Sequence, residues 1–168
     1  MRQSDREHEC REHEGHAFIA CPECFALGYR QRSQKRAAVV AKARSLVGTK
    51  FSHLGRSDLG VDCVGLVIVS FRAAGLLIRD FATYKHRDTE LDYVEASREV
   101  WPLCDSYLVA DEGDAFLFAM RGTNPTHFGI ATAQGTLIQA STKKGEVVEH
   151  RFDERWSRRA ILRIRAHD

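Results

Sequence analysis

The feature of this sequence that most constrains its fold is a long apolar run. Residues 63–74 read C-V-G-L-V-I-V-S-F-R-A-A, are apolar nearly all round, and are closed by Gly75. Strands seldom reach this length, so the run favours a helix in spite of its β-branched residues. A helix that is apolar on every side is buried, which predicts a domain built around a central helix.

The rest of the chain separates into a helical half and a β-rich half. Residues 34–47 carry apolar side chains at helical spacing and are followed by Gly48, which predicts an amphipathic helix, while 88–100 predicts a weaker one. After Gly113 come five short β-rich runs, at residues 115–120, 127–132, 136–140, 147–152 and 160–164. Helices followed by strands predict an α+β domain, with N-terminal helices packed on an antiparallel meander.

Length and charge exclude several classes of protein. With 168 residues, 43% of them apolar, the chain can bury one sizeable core and a small appendage. A net charge of +2 is too mild to indicate a nucleic-acid surface. The longest apolar stretch, 61–69, is too short to span a membrane, and the charged residues 1–15 do not resemble a secretory signal. We therefore expect no nucleic-acid partner and no membrane span.

The N-terminal segment is rich in cysteine and histidine. Composition changes near Ser33, which predicts an extension over residues 1–32 and a globular domain over 33–168. The predicted metal ligands of the extension are Cys10, His13, Cys21 and Cys24. The two-residue spacing of the last pair is typical of tetrahedral zinc sites, and zinc would supply the folding energy that so short a segment lacks. His16 is an alternative fourth ligand, and an iron–sulfur cluster is an alternative cofactor.

A candidate nucleophile stands at the head of the central helix. Cys63 follows the turn-like L-G-V-D, where unpaired amides and the helix dipole are expected to lower a thiol pKa and to act as oxyanion donors. His127, on a predicted strand, is the best-placed base. Gln139 lies on the next strand, after a short turn, where its side-chain carbonyl would hold the imidazole. Cys63, His127 and Gln139 are therefore the predicted catalytic residues.

Four ordered blocks carry a resemblance to a known family. They are D-C-V-G-L-V at 62–67, G-D-A-F-L-F at 113–118, H-F-G-I at 127–130 and L-I-Q-A-S at 137–141. In this order they resemble the NlpC family of cell-wall cysteine peptidases, from about Lys35 to the C-terminus. The flanking F-S-H-L-G-R-S-D-L-G-V at 51–61 and V-V-E-H-R-F-D at 147–153 resemble the branch carried by tailed phages and gene-transfer particles.

The resemblance implies a papain-like fold and hydrolysis of an amide bond in peptidoglycan stem peptides. By motif it implies that Cys63 is the nucleophile, His127 the base and Gln139 the orienting residue, where many members have a histidine. It also implies that Asp62 contacts the free amine of a stem peptide. His53 lies near the place where many members have a tyrosine beside the oxyanion, so it is a candidate substitute. No cofactor is implied for catalysis.

The phage-like flanks suggest where such an enzyme would work. We expect a protein made in the host cytoplasm, built into the virion at the tail tip beside tail hub proteins, which opens the periplasmic cell wall during DNA entry. A free endolysin released at lysis is the nearest alternative. A structural tail-assembly protein that needs no hydrolysis is another, and an acyltransferase or a different amidase using the same three residues is a third.

Overall fold

The computed structural model describes residues 22–80, 84, 103–104, 110–121 and 124–166. In chain order, its elements are α1 (Pro22–Ser45), β1 (Arg56–Ser57), β2 (Gly60–Val61), α2 (Cys63–Ala73), β3 (Leu103–Cys104), β4 (Ala115–Arg121), β5 (Asn124–Ala131), β6 (Thr136–Ser141), β7 (Glu146–Arg151), α3 (Glu154–Ser157) and β8 (Ala160–Ile164). The predicted helix over 88–100 lies outside the described residues. Among those described, no helix combines the length and the apolar character that crossing a membrane requires.

Helix α1 is longer than the sequence pattern predicts. It begins at Pro22, not at residue 34, and runs without a break across the predicted boundary near Ser33. Proline suits a first helical position because its missing N–H has no intrahelical partner there. The apolar spacing marks only the half that packs on the core: Val40 is buried, whereas Val47, predicted to be on the same face, lies beyond the helix and is 45% exposed.

Helix α2 confirms the predicted central helix. It spans Cys63–Ala73, and most of its side chains are buried, among them Leu66, Val67 and Ile68 at 0% exposure. It ends where the amides of Gly75 and Leu76 turn back to the carbonyls of Arg72 and Phe71, with Gly75 at φ 71°. Such a left-handed residue after the last turn favours glycine, which explains the abrupt end of the apolar run.

The five predicted β runs are all strands of one six-stranded sheet, in the order β3-β8-β4-β5-β6-β7. Every pairing in this sheet is antiparallel. Strands β4 to β7 form the predicted meander, but β8 does not extend it. The chain passes through α3 and returns to pair β8 with β4, setting Leu117 opposite Leu162.

The two faces of the sheet are covered differently. Alternate residues such as Leu117, Phe128 and Ile138 join the core cluster formed with α1 and α2. The opposite face carries a smaller cluster, Phe116, Phe118, Ala131 and Leu137, against which Phe152 and Trp156 pack. The helices thus cover one face, as predicted, and the short segment around α3 covers part of the other.

Candidate active site

Asp62 fixes the start of α2 and so the position of Cys63. Its extended backbone (φ −102°, ψ −172°) precedes the helix, and its Oδ1 accepts the amide of Gly65 at 2.8 Å. This is the N-cap arrangement, in which a side-chain oxygen satisfies an otherwise unpaired helix amide. Cys63 therefore occupies the first helical position, with a side chain 7% exposed.

The sulfur of Cys63 lies against strand β5. The backbone amide of Phe128 faces it, together with the amides of Val64 and of Cys63 itself. Helix α2 packs directly on β5, which pairs with β6 at Ile130 and Ala131, beyond Phe128. Phe128 follows His127 in the chain, so the sulfur also lies near the backbone of His127. The predicted nucleophile and base thus lie on neighbouring elements.

The thiol is more weakly acidic than its helical position suggested. Burial, and next the negative charge of Asp62, raise the pKa of Cys63 to about 12, although the nearby amides act in the opposite direction. The prediction of a lowered pKa is therefore wrong for this state of the protein, because loss of solvent outweighs the helix N-terminus. At neutral pH the thiol keeps its proton.

His127 is held by Gln139, as the sequence predicted. The Nε2 atom of His127 lies 2.5 Å from Oε1 of Gln139. An amide oxygen can only accept, so Nε2 carries the hydrogen and Nδ1 keeps a free lone pair. Burial lowers the pKa of His127 to about 4, with His150 adding to the shift and the Gln139 bond opposing it. The imidazole is therefore a neutral base at pH 7.

Two residues beside this pair were missed by the sequence analysis. The amide nitrogen of Gln139 lies 3.1 Å from Nε2 of His150, whose Nδ1 lies 2.9 Å from the carbonyl oxygen of Arg151. The Trp156 ring lies 4.9 Å from the His150 ring and 6.1 Å from that of His127. Trp156 lies outside the blocks that carry the family resemblance. His150 lies within the V-V-E-H-R-F-D block but had no role assigned to it, although the alternation along β7 could have indicated that it faces the same side as Gln139.

Asp62 is engaged with the protein on both oxygens. Besides capping α2, Oδ1 accepts from Arg56 Nη1 at 3.0 Å, while Oδ2 accepts from the amide of Leu54 at 2.7 Å and from the hydroxyl of Tyr84. The side chain is 2% exposed. The contact with a substrate amine stays a prediction, and an amine that reached this carboxylate would have to displace one of these donors.

Arg56 organises the loop in front of Cys63, the candidate nucleophile, and the sequence analysis did not identify it. Its guanidinium donates to both oxygens of Asp80 at 3.0–3.1 Å, to the Gly55 carbonyl at 3.0 Å and to the Tyr84 hydroxyl at 3.1 Å, in addition to Asp62. It also lies 5.7 Å from the centre of the Tyr84 ring. Every guanidinium N–H thus has a partner in the protein.

Close backbone contact explains the glycines of this region. A Cβ atom at Gly65 would lie 1.9 Å from the carbonyl oxygen of Gly55, so only glycine lets α2 approach the loop this closely. Leu54, just before, adopts φ 59°, a conformation unusual for a residue with a side chain. Its hydrogen bond to Asp62 holds the loop in that conformation.

His53 lies beside Asp62, next to the start of α2. Its Nδ1 is 3.8 Å from Oδ2 of Asp62, and its ring meets that of Tyr84 edge-on at 5.3 Å. The side chain is partly exposed. Its role near the oxyanion stays a prediction.

Three of the four predicted metal ligands, Cys10, His13 and Cys21, lie outside the described residues, as does the alternative ligand His16. For the fourth, Cys24, the structure gives the backbone position, near the start of α1. Within the part of the chain that is described, no group of three or more His, Cys, Asp or Glu side chains is arranged to hold a metal ion. The metal site of the extension therefore remains a prediction.

Comparison with solved structures shows a shared fold. The NlpC/p60 domain of the peptidoglycan hydrolase SagA superposes with a TM-score of 0.55 at 20% identity, over 77% of this chain and 97% of that one. The peptidoglycan hydrolase RipB of Mycobacterium tuberculosis gives 0.56 at 21% identity, over 83% and 68%. NlpC1 of Trichomonas vaginalis gives 0.57 at 20% identity, over 78% of this chain but 43% of that one.

Sequence comparison identifies the family. No curated protein matches the chain. A model of the NlpC/P60 family matches residues 48–166, a span that contains Cys63, His127 and Gln139. That span is well over half of the sequence, and its papain-like α+β architecture agrees with the structural likenesses. This chain belongs to the NlpC/P60 family.

Proposed function

We propose that this protein is a cysteine peptidase that hydrolyses an amide bond in peptidoglycan stem peptides, with Cys63 as nucleophile, His127 as base and Gln139 as the residue that orients the base. The observation that carries the proposal is the position of the Cys63 sulfur against the backbone amide of Phe128, the residue after His127. The ring of His127 is in turn hydrogen-bonded to Gln139 through Nε2. Two structural relatives, SagA and RipB, are described as peptidoglycan hydrolases, which supports the substrate class.

The resting pair is neutral, so proton transfer accompanies attack. As the sulfur of Cys63 bonds to the scissile carbonyl carbon, its proton moves to Nδ1 of His127 and the carbonyl electrons form an oxyanion. Amides in the first turn of α2, with His53 as a candidate further donor, would stabilise that charge. The carbon–nitrogen bond then breaks, and the departing amine takes the proton from His127.

A thioester on Cys63 remains and is hydrolysed by the reverse sequence. His127 removes a proton from water as the water oxygen bonds to the thioester carbonyl. The carbon–sulfur bond breaks, the acid product leaves, and the sulfur regains the proton from His127. Throughout, Gln139 keeps the ring in place, and its Oε1 accepts a hydrogen bond from the Nε2–H of the imidazolium.

Mass spectrometry of purified stem peptides incubated with the protein tests this function. We expect two products whose masses sum to that of the peptide plus one water. The Cys63→Ala variant should form neither product. The matched control is Cys104→Ala, since Cys104 lies on β3, at the far edge of the sheet from β5 and β6. Unchanged stem peptides with wild-type protein would contradict the assignment, and transfer of the acyl group to an amine would indicate an acyltransferase.

We propose further that the enzyme works at the tail tip of a phage particle, next to hub proteins, on the periplasmic cell wall. The support is the resemblance of residues 51–61 and 147–153 to the tail-associated branch. Particles carrying Cys63→Ala should assemble normally and lose wall opening during DNA entry. Fully infectious variant particles would instead favour a structural tail role, and absence of the protein from purified particles would favour an endolysin.

For residues 1–32 we propose a structural zinc site with Cys10, His13, Cys21 and Cys24 as ligands. Elemental analysis of the purified chain should find about one zinc ion per protein, which Cys21→Ser should abolish. Loss of metal after His16→Ala but not after His13→Ala would assign the fourth ligand to His16. Iron with acid-labile sulfide would identify a cluster instead.

A further inference from the structure

The amide group of Gln139 links two histidines. Its oxygen lies 2.5 Å from Nε2 of His127, and its nitrogen lies 3.1 Å from Nε2 of His150. The second histidine contacts the carbonyl oxygen of Arg151 through Nδ1 at 2.9 Å. These contacts form a continuous chain from β7 through β6 to the candidate base on β5.

The carbonyl of Arg151, at one end of this series of hydrogen bonds, fixes the direction of all of them. A carbonyl oxygen can only accept, so Nδ1 of His150 carries the hydrogen that bonds to Arg151. A neutral imidazole has one ring hydrogen, so Nε2 of His150 accepts, and the amide nitrogen of Gln139 must face it. The amide oxygen then faces His127, whose Nε2 must donate. Nδ1 of His127 is left as the free acceptor.

Gln139 alone does not set this direction. The two ends of a glutamine amide have nearly the same shape, and a half-turn would exchange the oxygen for the nitrogen. With the nitrogen facing it, Nε2 of His127 would accept and the ring hydrogen would move to Nδ1. A base in that tautomer cannot take a proton through Nδ1.

The surroundings favour a fixed arrangement. The Trp156 ring packs against the His150 ring at a tilt of 36°, with the ring centres 4.9 Å apart, and packs edge-on against Phe118 at 5.1 Å. The backbone of Trp156 is held in turn by the carboxylate of Asp153, which caps α3. Hydrogen bonds shielded by apolar rings are stronger than those in water, and a reversed amide would set its oxygen against the lone pair on Nε2 of His150, so that an acceptor faces an acceptor.

We propose that His150 is a positioning residue: by accepting from the Gln139 amide, it fixes that amide and thereby holds His127 in the tautomer whose Nδ1 is free to take the Cys63 proton. The effect on catalysis rests on the proposed function. The effect on the tautomer does not, because it concerns hydrogen bonds within the protein.

Nitrogen NMR of histidine-labelled protein tests the proposal without substrate, because the two ring nitrogens of each tautomer differ in chemical shift. In wild-type protein we expect hydrogen on Nε2 of His127 and on Nδ1 of His150. The opposite tautomer at either residue would overturn the proposal, and this result needs no variant to fold.

Three variants separate hydrogen bonding from packing. His150→Phe keeps a ring against Trp156 but removes the acceptor, so the His127 hydrogen should shift toward Nδ1. His150→Gln restores an acceptor oxygen and should restore the wild-type tautomer. Arg151→Ala is the matched control, since it removes an exposed neighbouring side chain and keeps the carbonyl. An unchanged His127 tautomer in His150→Phe would overturn the proposal.

Kinetics with stem peptides provide a second readout. In His150→Phe we expect kcat to fall by about tenfold or more, with KM nearly unchanged and recovery in His150→Gln. A tautomer change in a protein that cleaves no stem peptide would leave the positioning role standing and count against the proposed function alone. Wild-type kcat in a His150→Phe protein with a shifted tautomer would overturn the catalytic part of the inference.

Discussion

At the residue scale, the pKa values of Cys63 and His127 are shifted in the directions that disfavour a thiolate–imidazolium ion pair. Burial raises the pKa of Cys63 to about 12 and lowers that of His127 to about 4. Because each shift disfavours the charged form, the free protein holds a neutral thiol and a neutral imidazole over most of the pH range. In the proposed mechanism, Cys63 therefore loses its proton during the attack, and no thiolate is stored beforehand.

The pH dependence of thiol alkylation follows from these shifts. With a raised pKa, Cys63 carries little thiolate at pH 7, so its reaction with iodoacetamide should keep accelerating above pH 9. With a lowered pKa, His127 stays unprotonated down to about pH 4, so hydrolysis should persist well below pH 6. Alkylation rates by mass spectrometry and kcat/KM from pH 4 to 10 check both. An alkylation plateau at neutral pH would indicate a preformed ion pair.

The positions of the motif residues could be predicted because they depend on residues close by in the sequence. The side chains that contact this region from distant parts of the chain could not be predicted in this way. Cys63 heads an apolar helix, and His127 and Gln139 lie on consecutive strands, so spacing alone relates them. Arg56 and Asp80 are far apart in the chain and meet only because the loop before α2 folds over the helix N-terminus. The direction of the Cys63 pKa shift was also beyond the sequence, since it depends on burial.

At the scale of elements, Asp62 at the start of α2 both holds the local structure and influences the pKa of Cys63. One oxygen caps the helix and both engage the Arg56 loop, while the charge raises the Cys63 pKa. An aspartate directly before an apolar helical run is a typical N-cap signal, which the sequence could have revealed.

Asp62→Asn removes the charge of this residue, and with it the acceptor for Leu54 and Tyr84, but leaves one oxygen that can still cap α2. Asparagine caps helices about as well as aspartate, so α2 should keep its start. Removing the negative charge stabilises the thiolate, so the pKa of Cys63 should fall and alkylation at pH 8 should accelerate severalfold. The matched control is Asp58→Asn, at an exposed aspartate paired with Lys42. Unchanged alkylation in Asp62→Asn would contradict the electrostatic effect assigned to Asp62.

Element boundaries followed the sequence pattern only where an element packs on the core. The five strands of the β-rich half were predicted to within a few residues, because alternation and turns mark both of their ends. Helix α1 begins at Pro22, twelve residues before the predicted start at residue 34, because its first turns lack the apolar spacing that indicates the rest of the helix. The pairing of β8 with β4 joins strands that are far apart in the sequence, so the spacing of apolar residues within each strand could not predict it.

At the scale of the whole molecule, stability should reside in the cluster between the helices and the sheet. Leu66 lies in its centre at 0% exposure, whereas Leu59 is 91% exposed. Leu66→Ala should lower the free energy of unfolding by about 2–5 kcal/mol, and Leu59→Ala by less than about 0.5 kcal/mol. Urea denaturation measures both. Equal effects would mean that this cluster is not the core that holds α2 in place.

The central claim is that Cys63 attacks the scissile carbonyl and forms a thioester. Intact-protein mass spectrometry, after rapid quenching of a reaction with stem peptide, tests it most directly. The account predicts an added mass equal to the acyl half of the substrate, located by digestion to the fragment containing Cys63 and absent from Cys63→Ala. Stem-peptide cleavage by Cys63→Ala at the wild-type rate, with no adduct on either protein, would contradict it.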